Sequence, residues 1–297
     1  MPRSQRLLLF FFLILLSASI TLFRMDTWFT TSTAGVWVFK ALVLLNPFLL
    51  AVWLGQVFRV RWWIWIAMLG VLEVGVWSYL QWLPSRQHLP TRGITFFRNM
   101  VLSLHRNVVQ FDPALSQFDP ELYYTLKPDL HVGTFRNLEY QVSMRANRAG
   151  VRDDDASLEY PRVIFLGDSF TMGWGVPDSD CFASQLEKKL ACKTLNAGVS
   201  SYGTARESVF LKRLQTDSCK LLVIQYCTND DIENEELTRL NFKFKPAQQE
   251  VYQGYVHFNT LTSDYYPFKF IFLVAKTALS FASAGTPHFR PAPARPA

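Results

Sequence analysis

Three long apolar runs open the chain, at 7–23, 36–57 and 62–82, and each approaches or reaches the ~20 residues that cross a bilayer core as a helix. After Pro84 the pattern breaks up. Residues 84–160 are polar and irregular, with a predicted short helix at 94–109 that carries Phe96, Phe97, Met100, Val101 and Leu104 on one side, flanked by Arg98 and Arg106. Short strands are predicted at 122–126 and 140–145. From Arg162 apolar runs of strand length alternate with helical periodicity: strand 162–166, helix 181–190 capped by Ser179 or Asp180, strand 194–195, helix 205–214 and a buried strand at 221–226. Such alternation implies a parallel sheet. Beyond Asp231 the signal weakens to a hairpin strand at 251–259, a packed helix rather than a fourth span at 268–284, and a Pro/Ala/Arg tail at 287–297 that reads as disordered.

The fold class this predicts is α/β: N-terminal transmembrane helices followed by an incomplete flavodoxin-like parallel sheet with helices on both faces. The domains are a membrane anchor at 1–83, a linker with a small lead-in region at 84–160, a partial α/β domain at 161–286 and the tail at 287–297.

Tryptophan placement agrees with a membrane anchor. Of nine tryptophans only Trp174 lies after Pro84; the rest cluster about the apolar runs, as interfacial belts do. The first run reads as a retained anchor. Its alternative, a signal peptide after Arg3 and Arg6, has a shorter apolar region and a small-residue cleavage site, neither of which is evident. Arg59 and Arg61 fill the second loop, whereas Arg24 in the first is offset by Asp26, so the positive-inside rule keeps the N-terminus and second loop cytoplasmic. Three crossings then place everything after Pro84 outside the cytoplasm, periplasmic or extracellular. Two charges fall within spans, Lys40 and Glu73, and are expected to pair across neighbouring helices. Asn46-Pro47 is expected to kink the second span.

Net charge is +6 and dispersed, without a basic stripe interleaved with aromatics, so nucleic-acid binding is unsupported. The basic residues beside the spans suit the headgroups of a lipid bilayer. Cys181, Cys192, Cys219 and Cys227 show no zinc-ligand spacing; Cys192 and Cys219, each just before a predicted strand, are candidates to pair. No metal or other cofactor is called for, and the oligomeric state is left open.

The chemistry sits at the ends of the three predicted strands, the edge where open α/β sheets place their ligands. The first loop, Gly167-Asp168-Ser169-Phe170, offers Ser169 as a nucleophile and its backbone N–H to an oxyanion. Asn196-Ala197-Gly198 offers Gly198, whose N–H can approach a carbonyl closely. Cys227-Thr228-Asn229-Asp230 offers the Asn229 amide as a third donor. These three blocks, with Asn147–Asp153 as lead-in, resemble the SGNH (GDSL) hydrolases, a family of esterases, lipases, deacetylases and O-acyltransferases. The likeness covers roughly 145–231 and implies Ser169 as catalytic nucleophile, with Ser169, Gly198 and Asn229 forming the oxyanion hole. It departs from the family at Cys227, where glycine is usual, and in lacking an Asp-x-x-His block. None of His88, His105, His131, His257 and His288 has an aspartate three residues before it.

The resemblance thus implies a membrane-anchored hydrolase or acyl-transfer protein acting on ester groups, such as acetyl groups of envelope glycans, impaired for want of its histidine. Two other readings stand beside it. One is a non-catalytic envelope protein that binds a glycan or partner on the same scaffold; the other is a purely structural membrane component.

Overall fold

The computed structural model describes residues 3–24, 28–82, 107–136, 140–228, 230–239 and 248–284. Residues 94–106 of the helix predicted at 94–109, the tail, His88, His105, His288 and Asn229 lie outside the described residues. In chain order the first half forms α1 (Arg3–Arg24), α2 (Thr33–Phe58), α3 (Trp62–Trp82), β1 (Ser116–Asp119), β2 (Tyr123–Leu126), β3 (Leu130–Arg136) and β4 (Gln141–Ala146). The second forms β5 (Val163–Leu166), α4 (Ser169–Met172), α5 (Phe182–Leu190), β6 (Thr194–Asn196), α6 (Thr204–Leu211), β7 (Leu221–Ile224), α7 (Asp230–Arg239), α8 (Gln249–Ser263) and α9 (Lys269–Ala284). Two compact units result: Met1–Arg106 with Leu261–Ala297, and Asn107–Thr260.

In the first unit α1, α2 and α3 are each long and apolar enough to span a membrane, and most of their side chains are not covered by protein. The chain is therefore membrane-associated. Ser32 begins α2 by accepting from the Gly35 N–H at 3.1 Å, and Arg59, at φ 57°, ends it. Pro47 lies inside α2. α1 packs on α2, α2 on α3, and α9 on α3. The expected Lys40–Glu73 pair does not form. Lys40 Nζ instead meets Asp264 Oδ2 at 2.6 Å, and both Glu73 oxygens accept backbone N–H bonds, from Phe270 at 3.0 Å and Ile271 at 2.9 Å. The first turn of a helix has N–H groups with no carbonyl four residues back, so a buried carboxylate finds two donors there, while Lys40 is taken up by Asp264.

The second unit is mixed α/β. β1 pairs with β2 and β3 with β4, both antiparallel. β5 lies between β6 and β7, parallel to both, so the strands run second–first–third by order of appearance. Both faces of the sheet carry a core. Val163 and Phe165 meet Ala183 and Leu186 of α5 on one face; Ile164, Leu166 and Leu195 meet Phe210 of α6, with Tyr124 and Tyr202, on the other.

Three expectations need correction. Residues 251–259 are helical, not a strand: Tyr252, Val256 and Asn259 fall on one buried face at helical spacing. The strand near 221–226 is not buried; Leu221 is 54% exposed and Ile224 49%, because β7 is the edge of the three-stranded sheet. Cys192 and Cys219 do not pair, and all four cysteines are free. They precede β6 and β7, which flank β5, so two strand spacings of about 4.8 Å separate them, beyond the ~7 Å between Cα atoms that a disulfide tolerates.

Candidate functional site at the carboxyl edge of the sheet

β5 ends at Leu166 and the chain turns at once into α4. Gly167 is required by space: a Cβ there would lie 2.1 Å from Thr171 Oγ1 and 2.8 Å from Gln225 Oε1. Asp168 caps the turn, its buried carboxylate accepting from the Phe170 N–H at 2.9 Å. Its proximity to Ser169 thus serves the backbone. Ser169 opens the turn half-buried, where its N–H has no intrahelical partner, and Phe170 beside it is 69% exposed.

The loop after β6 closes on this turn. The Val199 N–H donates to Gly167 O at 3.0 Å. Gly198 packs so tightly that a Cβ would lie 2.4 Å from Met172 N and 2.7 Å from Thr171 C. Gly198 is therefore held against the Thr171–Met172 part of the turn that Ser169 opens. The Gly198 N–H, however, donates to Asn196 Oδ1 at 3.2 Å, so an incoming oxyanion would compete with that side chain. From the third strand, the Gln225 N–H donates to Leu166 O at 2.9 Å, and Thr171 Oγ1 donates to Gln225 Oε1 at 3.2 Å. Asn229, two residues past Cys227 in that same loop, lies outside the described residues.

Residues around the loops fix their shape. Asn147 folds the lead-in by accepting from the Ala149 and Val151 N–H groups. That fold delivers Arg152, 4% exposed, under the far end of α4, where it donates to the carbonyls of Met172, Gly173 and Val176 and to Asp178 Oδ1. Next to it Asp153 accepts from the Asn196 N–H at 2.9 Å; burial pushes its carboxyl up to about 6. Tyr124 Oη donates to Ser200 O at 2.5 Å, Tyr202 Oη donates to Tyr124 O, and Gln110 Nε2 donates to Ser201 Oγ at 3.1 Å. Both loops are thus braced from behind.

Behind the site lies a group of acids that sequence reasoning missed. Glu207, 1% exposed on α6, has no hydrogen-bond partner for either carboxylate oxygen among the described residues. Asp230, fully buried at the start of α7, accepts from Thr204 Oγ1 and the Cys227 N–H through Oδ2, and its Oδ1 is likewise unpartnered. Burial, then the charges of Asp230, Asp168 and Glu233, push the Glu207 carboxyl up to about 8, so it is largely protonated at neutral pH. Glu233 is itself bound by Arg206. The one available signal was Thr204-Ala205-Arg206-Glu207, a helix-start pattern whose glutamate has no reason to be buried unless α7 packs over it. Among the described residues no group of three or more metal-ligating side chains converges.

Nothing matches this chain among protein-family models, curated proteins or solved structures.

Proposed function

We propose that this chain is a membrane-anchored protein of SGNH type, facing away from the cytoplasm, whose site binds ester groups and transfers or hydrolyses their acyl part. Acetyl esters of envelope glycans are the expected substrates. Ser169 Oγ attacks the carbonyl carbon; the tetrahedral oxyanion takes the N–H groups of Ser169 and Gly198 and the amide of Asn229; the ester C–O bond breaks, the leaving alkoxide takes up the proton that the serine hydroxyl gave up, and water or an acceptor hydroxyl then releases the acyl group from Ser169. The hydroxyl proton needs an acceptor. The two histidines among the described residues, His131 and His257, sit on β3 and α8, and neither belongs to an Asp-x-x-His block. Without a base serine is a weak nucleophile, so turnover is expected to be slow.

The observation that carries this reading is the contact of Gly198 with the Thr171–Met172 backbone of the turn that Ser169 opens. It puts a hydroxyl and a side-chain-free N–H at one edge of a parallel sheet. The test is p-nitrophenyl acetate hydrolysis by the full chain in detergent, wild type against Ser169→Ala. Slow turnover abolished by the substitution supports it; turnover that is indifferent to Ser169→Ala sinks it.

A second reading is favoured by the Gly198 N–H already being engaged by Asn196. In this version the pocket holds a glycan or partner without turnover. Acetylated-glycan binding that survives Ser169→Ala, with no hydrolysis in either form, would select it.

A further inference from the structure

The geometry points to a fourth membrane element: Leu261–Ala284 re-enters the bilayer, its turn reaching mid-depth and α9 rising through one leaflet with its outward face against acyl chains. Depth follows from three contacts within the first unit. Glu73 is the twelfth of the 21 residues of α3, the middle of a span, and it holds the Phe270 and Ile271 N–H groups that start α9. Lys276, six residues beyond Phe270 on α9, donates to Leu22 O at 2.9 Å, among the last carbonyls of α1. Lys40, eighth of the 26 residues of α2, pairs with Asp264 between those depths. At ~1.5 Å per residue the 16-residue α9 is about 24 Å long, short of the ~30 Å core but ample for half of it.

Two independent observations agree. Backbone that leaves a helix inside hydrocarbon must have its polar groups satisfied by protein. Here Lys269 Nζ, fully buried, donates to Thr262 O and Asp264 O at 2.6 Å each, Lys40 neutralises Asp264, and Glu73 takes the first N–H groups of α9. A water-facing helix would also show a polar outward face. On α9 Phe270, Phe272 and Leu273 are buried, yet the half-buried Ile271, Val274 and Ala275 and the exposed Ala278 and Leu279 are apolar as well. Among the described side chains of that face only Lys276 interrupts them, and its ammonium donates to α1. The occupant of that face is lipid, continuous with the hydrocarbon around the exposed Val71 and Val74 of α3.

The test uses the wild-type full chain in vesicles that contain a phospholipid with a diazirine at its acyl terminus. After photolysis, adducts are mapped by mass spectrometry. Adducts on the half-buried Ile271 and Val274, fewer than on the more exposed Val71 and Val74, with none on the exposed Val132 of β3, are expected. Adducts on α3 with none at 269–279 would overturn the re-entrant element alone. Absence from α3 too would overturn the spans with it. Glu73→Ala, which strips the acceptor from two N–H groups, is expected to abolish adducts at 269–279 and spare those on α3; unchanged labelling would exclude Glu73 as the group that holds α9 at depth.

Discussion

Glu207 carries the sharpest prediction at the scale of single residues. Its carboxyl lies at about 8 in the folded chain against an ordinary 4.5, because burial and neighbouring carboxylates disfavour the charge. The folded state thus holds this proton more tightly than the unfolded one. Stability from this group is fully present below pH 4.5, declines as pH rises to about 8 and is flat above. The loss is at most roughly 4–5 kcal/mol, at ~1.4 kcal/mol per pH unit. Asp153 contributes in the same sense up to about pH 6, so the fall between 6 and 8 belongs to Glu207. Glu207→Gln should match the wild type near pH 5 and melt higher at pH 9; melting curves with no slope between pH 6 and 8 would contradict this. Gly198→Ala forces a methyl to 2.4 Å from Met172 N and should cost about 1–3 kcal/mol in chemical denaturation. Ser169 and Gly198 were legible because each is tied by chain order to a strand end. Arg152 and Glu207 were not, since their roles depend on which carbonyls and carboxylates the tertiary fold delivers to them.

Among the elements, those with a strong period and a clear stop were legible in the sequence: β5, α5 and α6 lie within a few residues of expectation. The failures have physical causes. Residues 251–259 are rich in the aromatic and β-branched side chains that favour strands (Val251, Tyr252, Tyr255, Val256, Phe258), and this composition hides a helical face of Tyr252, Val256 and Asn259. Only β2 and β4 of the two hairpins were visible: β1, Ser-Gln-Phe-Asp, has a single apolar residue, and β3 is interrupted by Gly133. β7 is instructive in another way. Its Leu221-Leu222-Val223-Ile224 composition suits a strand covered on both faces, and the structure leaves it as an exposed edge. An apolar edge strand with open backbone groups is an association hazard. Ile224→Lys should therefore lower concentration-dependent self-association, read by light scattering, with melting temperature nearly unchanged because the side chain is 49% exposed. Equal scattering by both forms would show that the edge is inert.

For the whole molecule, the proposed site is useful only on the side of the membrane where its substrate lies, and charge sets that side. Arg3, Arg6, Arg59 and Arg61 all fall at one end of the three spans, and basic residues resist translocation. On the proposed topology the unit Asn107–Thr260, which follows the third apolar helix, is carried across. Native cysteines report the outcome without an added tag. Cys192, Cys219 and Cys227 are free and partly exposed, whereas Cys181 is 2% exposed, its thiol pushed up by burial and hence unreactive. A membrane-impermeant maleimide added to spheroplasts should modify thiols of the first three and spare Cys181 until the chain is denatured. Replacing Arg3, Arg6, Arg59 and Arg61 together with Glu removes the charge bias, so external labelling should fall and reappear on permeabilisation. Wild-type labelling that itself requires permeabilisation would place the site in the cytoplasm. That result would remove envelope glycans as substrates while leaving the contact between Gly198 and the Ser169 turn as it stands.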